Sequence, residues 1–495
     1  MGAMVETLFM ICLPIALCLY LILALVQLLH KLWWTPGIRG PSYRFIHGNT
    51  EEIFSMQKVV MMISRPMNLT HDDILARVQP RIHSWINLYG KNYLQCHGNK
   101  AQLVITEPDL IKEILYNRER VYPKEEATDS VKKLLGDGLV TSEGEKWAKM
   151  RKLANYAFHA ERLNSMVPAM ISSVEQMLER WKFHEGKEIE VFEEFNLMTS
   201  EVISRIAFGN SYLEGKHIFQ MLMKMALITS RNTHKIRFPG ISKFSKTEHE
   251  IESEKLEKGL RDSILSNFGD DFLGLLVKSH RDADANKRIS VEDLVDECKT
   301  FYVAGHETTS SLLSWIVFLL ATHAEWQEKT RKEVLNLFGQ QNPNSDGISK
   351  LKTMSMIINE SLRLYSPVVV ITRQVERKVR LGNLTIPTDM ALYIPILVVH
   401  YNPHIWGEDV HLFKLERFSE GVAKATNNNS AAYIPFGIEP RNCVGLNFAT
   451  TKTKIDLSMI LQRYAFTLLP AYVHSPAQLL TLRPQHGVQI MLHSL

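Results

Sequence analysis

Cysteine is scarce in this chain, with five in 495 residues, at positions 12, 18, 96, 298 and 443. An odd number without paired or metal-ligand spacing excludes a disulfide scaffold and a zinc module, and it fits a reducing compartment. Charge of one sign is also missing. Lys and Arg total 57 against 53 Asp and Glu, and a net +4, evenly spread, does not predict nucleic-acid binding. Neither a Gly-x-Gly-x-x-Gly nor a phosphate-loop pattern occurs, and Gly209 to Lys216 misses the latter in spacing, so no built-in flavin or nicotinamide domain is expected. With 45% hydrophobic and 22% charged residues, disorder and collagen are excluded too. No repeat, low-complexity linker or composition break follows Ser42, so one large body is expected, although length alone suggests roughly three domains at about 150 residues each.

What is present begins with an apolar run. Leu8 to Val26 carries no charge, and with its flanks it reaches the roughly 20 residues a helix needs to cross about 30 Å of hydrocarbon. A cleaved signal peptide would show a basic start and a shorter apolar core, whereas Glu6 precedes this run. Residues 1–29 are therefore read as a transmembrane anchor in a lipid bilayer. Lys31, Arg39 and Arg44 follow it and place the rest of the chain in the cytosol. Pro36, Gly37, Gly40 and Pro41 make residues 30–45 a stiff hinge before a body at 46–495.

Within the body, Ser290 and Asp293 have capping-box spacing at the head of an apolar-rich helix from Val291 to about Thr322. A second helix is expected from about Met354 to Leu364, ending before Ser366-Pro367. Strands are expected at Val368 to Ile371, Val379 to Ile386 with a turn at Gly382-Asn383, and Leu392 to Val399. The fold class is mainly α with small, segregated β-sheets (α+β).

Four constellations could carry chemistry. Cys443 lies in a Gly- and Pro-bearing loop from Phe436 to Gly445 that opens onto an apolar helix, where the helix dipole and Arg441 would favour a thiolate. A buried, inert cysteine is the plainer explanation. Glu360 and Arg363 are three apart on one helical face, by default a surface ion pair, and Arg417 sits in an aromatic segment, Phe413 to Phe418, where burial would demand a carboxylate such as Glu360. Ala304-Gly305-His306-Glu307-Thr308-Thr309 puts glycine and polar groups inside the long helix, as a functional kink or a ligand contact would. Core packing explains each feature singly.

Together and in this order, these elements resemble the cytochrome P-450 family of haem-thiolate monooxygenases. The stretches 147–151 and 304–309 are similar to the plant seventy-two clan, which oxidises hormones and terpenoids. The resemblance implies a haem b cofactor with Cys443 as its iron ligand. Phe436 would lie near the sulfur, Gly445 would donate to it, and Trp147, Arg151, Arg373 and Arg441 would face the haem propionates. It implies Glu307 and Thr308 as the proton-delivering pair and Glu360, Arg363 and Arg417 as fold support. Phe301, Ala304, Val368, Val369, Val370 and Ile371 would line an apolar substrate pocket, although sheet packing accounts equally for two or three of them. Electrons from NADPH would arrive through a separate cytochrome P-450 reductase, steered by the basic helix of Lys146, Lys149, Arg151 and Lys152, and the anchor would hold the protein in the endoplasmic reticulum membrane. A reductase-independent isomerase or lyase, and an impaired haem-binding protein, are the alternatives.

The chain departs from the family at Glu439, where relatives usually carry glycine. If that position needs φ > 0, the cost is roughly 1 to 2 kcal/mol, and the added carboxylate would oppose the negative charge of a nearby thiolate, so haem retention should fall. Leu415 and Ser366 replace usual prolines, and the stretch 264–272 and the hinge look short.

Overall fold

The computed structural model describes residues 12–22, 38–44, 47–62, 67, 74–98, 100–208 and 288–495, with isolated positions between 221 and 280. Much of the expected anchor and hinge, and the stretches 209–216 and 264–272, lie outside these residues. Residues 12–22 are helical and exposed. Among the described residues no helix is long and apolar enough to cross a membrane.

Six helices frame the site: α1 (Gly144–Ala157), α2 (Ala160–Trp181), α3 (Val191–Phe208), α4 (Val291–Thr322), α5 (Lys352–Leu364) and α6 (Leu446–Arg463). Helix α4 begins where its cap dictates: Ser290 Oγ accepts from Asp293 N and Asp293 Oδ2 accepts from Ser290 N, both at 3.0 Å. At 32 residues it runs about 48 Å, and it is buried on nearly every face from Leu294 to Leu320, as befits a helix threaded through a core. Its hydroxyls turn back on the helix, with Ser314 Oγ donating to Ser310 O at 2.8 Å, which makes them tolerable inside an apolar core. Gly305 produces no break. A Cβ there would lie 2.5 Å from Ile203 Cδ1, so the glycine lets α3 approach α4 closely.

The main sheet contains β1 (Tyr93–His97), β2 (Lys100–Val104), β3 (Val370–Gln374) and β4 (Ala391–Pro395) in the order β1-β2-β4-β3. Only β2 and β4 pair in parallel. Val379–Leu381 and Leu384–Ile386 form the expected hairpin around Gly382, whose φ of 56 suits glycine. The strand expected from Leu392 to Val399 stops at Pro395, beyond which Ile396–His400 is helical. Proline supplies no N–H to continue a ladder and readily begins a helical turn. The body is thus mostly helical with small sheets.

Candidate functional site

A cavity of ≈ 460 Å³ opens between α4 and the loop that precedes α6. Most of the expected site residues meet there. The loop contributes Phe436, Cys443 and Gly445; α4 contributes Phe301, Ala304 and Thr308; the segment entering β3 contributes Val368, Val370 and Ile371. Val369 does not line the cavity. Side chains alternate along an extended segment, and Val369 turns into the hydrophobic core at 2% exposure.

The loop is closed by Cys443 N donating to Phe436 O at 2.8 Å, and the left-handed turn falls on Gly437, with φ 70. Cys443 is exposed by area because it opens into the cavity, while the protein around it excludes bulk water. Burial pushes the thiol up, opposed by a hydrogen bond from the Gly445 N–H and by the nearby Arg151. Arg441, expected beside the sulfur, instead stacks 4.4 Å over the Trp147 ring and pairs with Glu143 at 2.5 Å. Among the described residues, Glu143 is the one carboxylate paired with it there. Arg151 takes the place beside the loop, donating to Asn442 O at 2.5 Å and Asn442 Oδ1 at 2.6 Å.

The strain expected at Glu439 is absent. Its φ is not in the left-handed region, its side chain is exposed, and its carboxylate favours the Arg151 cation. The backbone ground for weakened haem retention therefore falls, because Gly437 makes the tight turn.

One edge of the cavity is cationic. Trp147 and Arg151 reach it from successive turns of α1, and Arg373 and Arg441 join them. So does Lys124, which sequence reasoning missed. It arrives because Gln374 N donates to Pro123 O at 2.9 Å and Glu376 N to Val121 O at 3.0 Å, a long-range pairing with no local signal. Burial and the neighbouring Arg373 and Arg441 push Lys124 down to about 7, and burial with Arg441 pushes Arg373 down to about 10; Glu143 opposes both. Positive charge is thus crowded and partly desolvated where one carboxylate cannot balance it.

Glu307 and Thr308 separate. Thr308 lines the cavity and its Oγ1 donates to Ala304 O at 2.7 Å. Glu307, the next residue on the helix, projects about 100° away, the angle of 3.6 residues per turn. It is buried against the hairpin of Pro476–Gln478 and Leu482–Pro484, accepting from Thr481 Oγ1 at 3.0 Å, with Arg483 NH1 3.8 Å distant. Burial raises its carboxyl, and Arg483 and Thr481 oppose the rise.

Glu360 and Arg363 are no surface pair. Both are fully buried, with Arg363 Nε 2.8 Å from Glu360 Oε2 and NH2 2.7 Å from Oε1. Burial disfavours the Arg363 cation, but Glu360 outweighs it and raises the guanidinium. Arg417 approaches Glu360 at 3.5 Å and bonds Asp409 Oδ1 at 2.6 Å. Arg363 NH1 also bonds His400 O at 3.0 Å, and His400 Nε2 accepts from Ile434 N at 3.1 Å. Burial, then Arg363, pushes His400 down to about 3, keeping it the neutral acceptor this bond requires. The buried pair thereby braces the approach to the Cys443 loop. The basic run on α1 is not one open patch either: Lys146 pairs with Asp137 at 2.9 Å and Asp293 at 2.8 Å, and Arg151 points inward.

Among the described residues no cluster of three or more His, Cys, Asp or Glu side chains could hold a bare metal ion. A metal at Cys443 would have to bring most of its own donors. An apolar cavity, a single thiol and an uncompensated cationic edge fit an iron porphyrin with acidic side chains.

This arrangement on a mainly helical body defines a haem-protein class. The cytochrome P-450 family model matches residues 76–490. The chain belongs to the cytochrome P-450 family. Cytochrome P-450 CYP749A22 of Panax ginseng is 55% identical over 97% of this chain and 96% of its own length. Cytochrome P-450 CYP72A616 of Paris polyphylla is 38% identical, over 94% of this chain and 95% of that one. The 11-oxo-beta-amyrin 30-oxidase of Glycyrrhiza uralensis is 37% identical, over 99% and 98%. The crystal structure of the cytochrome P-450DA haem domain, 23% identical, covers 85% of this chain and 93% of its own with a TM-score of 0.75, and it shares the fold. The protein is therefore a monooxygenase of a haem-iron family, with the seventy-two-clan resemblance carried by its relatives.

Proposed function

We propose that this protein inserts one oxygen atom from O₂ into a C–H bond of an apolar or amphipathic small molecule of terpenoid, hormone-like or lipid type. The observation that carries this reading is the Cys443 sulfur opening into an apolar cavity with a cationic edge. Bound haem would supply the oxygen-activating chemistry, which a thiolate ligand directs toward O–O cleavage.

Cys443 would hold the iron, with the Gly445 N–H tempering the sulfur's basicity. Trp147, Arg151, Arg373, Arg441 and Lys124 would hold the anionic side chains of the cofactor. Phe436 would shield the sulfur from water. Phe301, Ala304, Val368, Val370 and Ile371 would hold the substrate by apolar contact, with Val369 supporting them from the core. Thr308 Oγ1 would position a proton at the cavity, and Glu307 would replenish it from the side of Thr481 and Arg483. A relative named for oxidising 11-oxo-beta-amyrin supports the terpenoid class.

The want of a dinucleotide motif supports electron supply from NADPH through a separate cytochrome P-450 reductase. The uncharged run from Leu8 and the basic residues after it support a single-pass anchor in the endoplasmic reticulum membrane, with the body in the cytosol. The deciding experiment is optical. Reduced holoprotein with carbon monoxide should show the red-shifted Soret band of thiolate ligation, and Cys443→Ser should lose that band and turnover; an unaltered band in Cys443→Ser refutes the assignment.

A further inference from the structure

The two carboxyl oxygens of Glu307 meet opposite kinds of neighbour, and the residue just before it supplies one of them. Oε1 accepts from Thr481 Oγ1 at 3.0 Å and lies 3.8 Å from Arg483 NH1, both carried by the hairpin. Oε2 faces His306 Nδ1 at 3.9 Å. His306 Nε2 is 3.1 Å from Asn196 O on α3. From α6, Lys452 also acts on His306; its Nζ is 2.6 Å from Asp456 Oδ2 and 3.2 Å from Met198 Sδ. His306, Glu307, Lys452 and Asp456 are buried, whereas Asn196 and Arg483 are half-buried.

A carbonyl oxygen can only accept, so Nε2 carries the imidazole hydrogen. Burial pushes the ring down to about 3, with the Asn196 bond opposing the fall and Lys452 adding to it. His306 is therefore neutral, and Nδ1 presents a lone pair to Glu307. That lone pair attracts Oε2 when Oε2 carries a proton and repels it when the carboxyl is ionised. The Thr481 hydroxyl and the Arg483 cation act in the opposite sense, each favouring the ionised form through Oε1. Packing alone would be served by phenylalanine at 306, without a buried N–H that Asn196 must satisfy.

We propose that His306 is a positioning residue that retains the acid proton of Glu307 on Oε2, so that Arg483 and Thr481 do not strip it before the cavity draws on it. This deepens, and rests on, the reading of Glu307 as the residue that replenishes the proton at Thr308. The step moves a proton and no electrons. Glu307 Oε2 gives up its proton, Thr481 and Arg483 hold the carboxylate left behind, and a solvent proton arriving beside the half-buried Arg483 restores the acid. His306 stays neutral throughout.

The test reads Glu307 directly, on substrate-free ferric holoprotein. Infrared difference spectra between successive pH values in heavy water report the carbonyl stretch of a neutral carboxyl, and Glu307→Gln assigns the band by removing it. His306→Phe, which fills the same space without a lone pair, should move the titration midpoint of that band to lower pH, and Arg483→Gln should move it to higher pH. Loosened packing around Glu307 would not move the two variants in opposite directions. His306→Leu repeats the test with a second side chain that lacks a lone pair. A midpoint unmoved or raised when His306 is replaced, or no titrating band in native protein that Glu307→Gln removes, overturns the proposal. Separately, Glu307→Gln supplied with NADPH and reductase should release more peroxide per NADPH than native protein. Equal release would refute Glu307 as the proton supplier, and the proposal with it, while the carbon monoxide band read on every sample keeps the haem assignment a distinct question.

Discussion

Glu297 offers a quantitative check of the helix that builds the cavity. It lies on α4 at 1% exposure, and neither carboxyl oxygen meets hydrogen-bond geometry with a partner. Burial raises its carboxyl to about 8, helped by Asp296 and Asp293, while the Leu139 N–H and Lys146 only partly oppose it. The folded chain therefore holds a proton on Glu297 that the unfolded chain releases above about 4.5, and stability falls as pH rises through that interval. At about 1.36 kcal/mol per pH unit, the loss between pH 5 and pH 8 comes to about 3 to 4 kcal/mol. Glu297→Gln keeps the shape of the neutral acid and cannot ionise, so this part of the pH dependence should vanish. Urea denaturation of native protein and variant at both pH values, with the slope m compared to confirm like transitions, gives the difference directly. Parallel pH dependences, agreeing within about 1 kcal/mol, would show that the carboxyl is not held neutral and would refute the reasoning.

Two further perturbations probe the frame. Glu360→Gln leaves Arg363 buried with its charge unpaired and should cost about 3–5 kcal/mol. Because His400 links Arg363 to Ile434, the variant should also lose haem, read as the ratio of Soret to protein absorbance. At Gly136, φ is 74 and a Cβ would lie 2.5 Å from Asp296 Cα, so Gly136→Ala should cost more than the roughly 1–2 kcal/mol of backbone strain alone. Gly90→Ala, at φ 100 with nothing within 4 Å of a Cβ, is the control for strain without the clash, and equal losses at the two positions would refute the argument.

The Ser290 to Asp293 box, the burial of the helix after it, the hairpin at Gly382 and the cysteine loop were legible in the sequence. Each is set by contacts within a few residues: a side chain meeting its own backbone, a left-handed glycine, an apolar period. Trp147 and Arg151 belong to this group, since a spacing of four puts both on one face of α1. Other features depended on segments far apart in the chain. Nothing near Lys124 marks it as part of the cationic edge, which exists only because residues 121–123 lie alongside the end of β3. Arg441 was expected to attend the thiol, but Glu143 and the Trp147 ring capture it. Whether Glu307 and Thr308 share a surface and whether Val369 faces the cavity or the core were decided when α4 packed against the hairpin of Pro476–Gln478 and Leu482–Pro484 and the segment entering β3 took its place. Local geometry can be read along one chain because it repeats with a fixed period; the partner of a buried charge cannot, because burial selects it from everything the fold brings within a few ångströms.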